Sequence, residues 1–122
     1  MARAVNIMQG GFSAGQAKAI NGSIATALTA AGTTISDALG LVADTNLIGT
    51  CASGAGVQLP ATENGDGIEI YNGGANACKV YPDASTAQIN GLSAGSSFLL
   101  ATNTACFCRK VSSTQWIAYL SA

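Results

Sequence analysis

The sequence predicts a mainly β protein: an extended N-terminal arm, a short helix, then an antiparallel β-sandwich or barrel of about eight short strands. Three observations carry that expectation. Short apolar runs alternate with turn clusters from residue 37 to the C-terminus. Several runs alternate with a period of two, as a pleated strand requires. The chain has 122 residues, enough for one core and not two. Its organisation is read as an arm over 1–12, a short helix and connecting segment over 13–36, and a β domain over 37–122.

Residues 1–12 carry scattered apolar side chains, and Gly10-Gly11 interrupts any regular element. Such a segment has few partners of its own and docks on something else or frays. Ser13 and Gln16 fit a capping box, so a helix of about two turns begins there and ends at Asn21-Gly22. The stretch 24–35 is ambiguous; its Thr and Ile content leans toward strand after Gly32. Strands follow at 38–42, 46–51, 56–59, 67–72, 77–81, 97–101, 105–111 and 115–120. Asn64-Gly65-Asp66-Gly67 reads as a hairpin turn. Asn72-Gly73-Gly74-Ala75-Asn76 reads as a turn joining two antiparallel strands, with Gly supplying positive φ. Pro82 ends the strand before it, Asn90-Gly91 makes another tight turn, and Trp116 anchors the last strand in the core.

Period-two reading places Ile68 and Ile70 opposite Glu69 and Tyr71, and Cys78 and Val80 opposite Lys79 and Tyr81. Cys106 and Cys108 oppose Phe107 and Arg109, and Trp116, Ala118 and Leu120 oppose Ile117 and Tyr119. Strands with apolar side chains on both faces point to one face packed inside and one against a neighbouring subunit. On this basis Tyr71, Tyr81, Phe107, Ile117 and Tyr119 are the candidate subunit-interface residues. The composition agrees: 23 of the residues are Ala, only seven are aromatic, and 9% are charged. Ordinary domains carry about a quarter charged residues, so this surface suits contact with other chains better than isolation in water.

Catalytic chemistry finds no footing. The chain has no histidine, which removes the usual general base and the commonest metal ligand. Two Gly-x-Ser-x-Gly matches, at 11–15 and 91–95, lack the histidine and the α/β context that make that motif work; Ser13 is better read as a cap and Ser93 as a turn residue. Cys51, Cys78, Cys106 and Cys108 do not have zinc-site spacing and are read as free, buried thiols. Of the six acids, only Glu69 is mid-strand and nothing marks a catalytic pair. The expectation is a protein that is not an enzyme, with no catalytic residues, no metal and no cofactor. Five basic and six acidic residues leave a net charge of −1, without a patch for nucleic acid. The sequence offers no membrane-crossing stretch and no signal peptide, so cytosolic synthesis is expected.

Residues Gly56-Val57-Gln58-Leu59-Pro60, the run from Gly65 to Pro82 containing Asn-Gly-Gly-Ala-Asn-Ala-Cys-Lys-Val-Tyr-Pro, Ile89-Asn90-Gly91-Leu92 and Gln115-Trp116 together resemble small bacteriophage virion proteins of the capsid decoration (cement), head-fibre or tail-associated type. The resemblance covers about half the chain, from Gly56 onward. It implies a homotrimer that binds the major capsid protein on the outer shell and stabilises the shell. Location would be the virion, with the host cytoplasm during assembly. Residues Arg3, Val5, Ile7, Met8 and Phe12 would form a capsid-docking arm. The alternative is a head-fibre or tail-associated module that recognises host-surface glycans.

Overall fold

A computed structural model describes residues 22–121 of the chain. The expected arm and the helix beginning at Ser13 lie outside these residues. The described residues form ten strands: β1 Ile24–Thr29, β2 Leu39–Gly40, β3 Thr45–Thr50, β4 Gly56–Gln58, β5 Gly67–Asn72, β6 Cys78–Tyr81, β7 Gln88–Ile89, β8 Phe98–Leu100, β9 Thr104–Ser112 and β10 Gln115–Leu120. The described residues contain no helix.

The chain steps back and forth between two sheets. One has six strands in the order β1-β3-β5-β9-β10-β7, the other four in the order β2-β4-β6-β8. From β1 to β8 each successive strand changes sheet, and the neighbours β1-β3-β5 and β2-β4-β6 are parallel. This is a solenoid-like winding, not the antiparallel sandwich or barrel expected. Parallel neighbours need a long crossover, and here a strand of the opposite sheet supplies it. Among the described strands, antiparallel pairing comes where β8, β9 and β10 close the stack, β6 with β8, β5 with β9, and β9 with β10; a single antiparallel bridge also joins Ala31 to Gly56.

Several local expectations change with this topology. The Asn72–Asn76 segment is a corner between sheets and not a hairpin, because β5 and β6 do not pair. Its glycines are there for close approach, and neither Gly73 nor Gly74 has positive φ. A Cβ on Gly74 would lie 2.7 Å from the Cβ and backbone N of Cys51. The Gly65 turn, with φ 96°, likewise leads from β4 into the other sheet. Strand β1 precedes Gly32 where a strand after it was expected. Asp37 decides this: its carboxylate accepts from the Thr33 N–H at 3.0 Å, the Thr34 N–H at 2.7 Å and the Thr34 hydroxyl at 2.8 Å. These local bonds outcompete a ladder despite the β-branched residues around them. Strand β7 was not anticipated, being two residues long.

The core lies between the sheets. Ile48, Ile68, Ile70, Cys106, Cys108 and Trp116 from the six-stranded sheet meet Val57, Val80, Cys78 and Leu100 from the other. Two buried polar devices pin the corners. Asn72 donates to the carbonyls of Asn76 and Leu100, both at 2.9 Å, and accepts from the Gly74 N–H at 2.9 Å. Asp83 accepts from Lys110 Nζ at 2.7 Å and from Trp116 Nε1 at 3.0 Å, tying the turn after β6 to β9 and β10.

Candidate functional site

The outer face of the six-stranded sheet carries several exposed apolar side chains. Strand register builds it. Thr45, Glu69, Phe107 and Tyr119 form one row across β3, β5, β9 and β10; Leu47, Tyr71 and Ala105 form the next; Gly67, Arg109 and Ile117 flank it on the other side. These are the positions that alternate with the buried Ile68, Ile70, Cys106, Cys108, Trp116 and Ala118, so one periodicity makes both core and face. Tyr119 is 61% exposed, and Leu47, Tyr71 and Ile117 are also exposed.

The structure thus brings Tyr71, Phe107, Ile117 and Tyr119 onto one surface. Tyr81 is different: it belongs to the four-stranded sheet, is 7% exposed, and its hydroxyl donates to the Thr33 carbonyl at 3.1 Å. Its place in the candidate interface is corrected on that ground. Period-two alternation put it outward, but the loop over residues 33–37 covers it.

Within the face, Phe107 leans over Gly67, where a Cβ would overlap its ring. Arg109 stacks on the same ring at 5.1 Å from its centre and donates to the Gly65 carbonyl at 2.7 Å. With Phe107 tilted that way and Ala105 small, a cleft of about 290 Å³ opens beside Glu69, bounded by Phe107, Tyr119, Leu120 and Ser121. Glu69 accepts one hydrogen bond there, from the Thr45 hydroxyl at 3.0 Å, and forms no ion pair among the described residues. Sequence reading singled out Glu69 as the one mid-strand acid. It gave no sign of the cleft, which depends on a glycine two strand positions away.

The cysteines sit in the interior. All four are free and buried. Cys106 and Cys108 approach with sulfurs 3.8 Å apart, far beyond a disulfide length. Burial, then the neighbouring Cys51 and Cys106, push the Cys78 thiol from 9.0 up to about 12. A hydrogen bond with Cys106, followed by burial, pushes Cys108 upward as well. A thiol that stays protonated when folded but ionises when unfolded favours the unfolded chain as pH rises. Stability is therefore whole below pH 9 and declines between pH 9 and 12. Urea midpoints across that window should fall for the parent protein and fall less steeply for Cys78→Ala; parallel slopes would contradict the assignment.

No group of three or more His, Cys, Asp or Glu among the described residues is placed to hold a metal. Ser93 lies in the turn between β7 and β8, and its carbonyl accepts from the Ser96 N–H at 3.0 Å. No helix long and apolar enough to cross a membrane is present among the described residues. Comparison with protein-family models, curated proteins and solved structures finds no match.

Proposed function

We propose that this chain is a bacteriophage capsid decoration protein, a non-catalytic subunit that acts as a homotrimer on the outer surface of the shell. One observation carries the reading: the exposed, largely apolar face built from Tyr71, Phe107, Ile117 and Tyr119. An apolar patch of this kind marks a contact surface. The phage-like run from Gly56 to Trp116 gives that contact its setting. The mechanism is area and number instead of chemistry. A protein that binds the expanded shell and not its precursor stabilises the expanded form by mass action, and many equivalent copies multiply the effect.

The test is sedimentation of purified shells with the protein, read alongside its native mass. The expected result is a defined oligomer in solution and stoichiometric binding to expanded shells, both lost in Tyr119→Glu. A monomer that ignores shells would overturn the proposal. The cleft between Tyr119 and Phe107, with a carboxylate at its side, favours a second reading as a glycan-binding module. Binding on a glycan array, without shell binding, would select it.

A further inference from the structure

We propose that the cleft beside Glu69 receives Arg3 from the N-terminal segment of a second copy of this chain, so that each subunit straps its neighbour. The inference rests on the self-association proposed above and names what holds the copies together.

Charge accounting points to this occupant. The chain has five basic residues. Lys79 donates to the Thr33 carbonyl, Arg109 donates to the Gly65 carbonyl and lies on Phe107, and Lys110 is paired with Asp83. Arg3 and Lys18 are the two that lie outside the described residues. On the acidic side, Asp37, Asp44 and Asp66 accept backbone N–H groups, Asp83 holds Lys110, and Glu63 is in an exposed turn. Among the described residues Glu69 is a carboxylate set in an apolar surface whose one hydrogen-bond partner is the Thr45 hydroxyl. A guanidinium suits the cleft better than an ammonium. Its plane stacks on Tyr119 or Phe107 while its forked donors meet the carboxylate. Arg109 does not border the cleft and leaves it open to a second cation.

Area gives the second argument. Four strands about 4.8 Å apart and about 20 Å long present on the order of 400 Å² in projection. A stable association buries about 800 Å² per partner. The flat face alone falls short, and a strap supplies the difference. Twelve residues, the length of 1–12, can reach at most about 40 Å, enough to leave one subunit and cross the face of the next. In an extended segment Arg3, Val5 and Ile7 fall on one side, which matches a carboxylate flanked by apolar side chains. A segment that adds contact area between two subunits leaves one and lies on the other, and the face is open to it: among the described residues Ile24 is 69% and Tyr119 61% exposed.

The experiment uses full-length protein and native mass spectrometry. Arg3→Glu and Glu69→Arg should each weaken self-association at least tenfold, with circular dichroism spectra at room temperature unchanged. Mixing the two single variants should restore mixed oligomers, since the acidic strap of one then meets the basic cleft of the other. Glu69→Gln, a milder change, should give an intermediate loss. Single variants that associate like the parent would overturn the inference and leave the decoration reading standing. So would rescue only when both changes share one chain, which would put the strap on its own subunit. Intact oligomers with shell binding lost in Arg3→Glu would return the arm to the capsid. A parent protein that is monomeric throughout would instead sink the underlying reading.

Discussion

Lys110→Met should lower the thermal midpoint by roughly 12–20 °C. The side chains of Lys110 and Asp83 are only 10% and 7% exposed, with their charged atoms 2.7 Å apart. Removing one member of such a pair costs about 3–5 kcal/mol, because the other charge is stranded away from water. For a domain near this size each kcal/mol shifts the midpoint by about 4 °C or more. The pair also does wider work. Lys110 donates to the Thr62 carbonyl at 3.1 Å, Asp83 accepts from Trp116, and the Asp83 carbonyl accepts from Gln58 at 3.1 Å. One salt bridge therefore fixes two loops and the largest core side chain. Lys110→Met combined with Asp83→Leu should recover much of the loss, since a buried ion pair is often no better than well-packed apolar groups. Differential scanning calorimetry of the two single variants and the double checks this. Single variants within about 1 kcal/mol of the parent would show that the pair contributes little.

Asn72→Leu should cost about 3–5 kcal/mol, and Asn46→Leu distinctly less. Both amides are fully buried. Asn72 serves three backbone groups, the Gly74 N–H and the carbonyls of Asn76 and Leu100. A leucine of similar size leaves all of them without partners, at about 1–3 kcal/mol for each buried group lost. Asn46 donates to the carbonyls of Ala43 at 2.9 Å and Glu69 at 3.3 Å, while its own oxygen has no partner among the described residues. Replacing it removes one desolvated atom along with two bonds, so the net loss is smaller. Urea denaturation of both variants tests the order, and a larger effect at Asn46 would refute this account.

Much of the β domain was legible residue by residue. The alternation of Ile68 and Ile70 with Glu69 and Tyr71, and of Cys106 and Cys108 with Phe107 and Arg109, assigns inside and outside correctly. That is because a strand's side chains change face at every residue whatever strand lies beside it. Glu69 was likewise visible as an acid out of place. Tyr81 shows the limit of the same rule. Its strand alternates, but the cover comes from a loop distant in sequence, held by Asp37.

By itself, the sequence determined that the described chain forms short strands separated by turns, which side of most strands is apolar, and that histidine chemistry is absent. It could not determine which strand neighbours which. Ile-Ala-Thr-Ala-Leu-Thr, Thr-Asn-Leu-Ile-Gly-Thr and Gly-Ile-Glu-Ile-Tyr-Asn stack in parallel as β1, β3 and β5 yet share no visible repeat. A turn cluster looks the same whether the chain doubles back within a sheet or crosses to another. Only tertiary packing chose the second, through contacts such as Gly74 against Cys51 and Asn72 against Leu100. The same packing made the cleft at Glu69, because its walls come from strands that only the finished fold sets side by side.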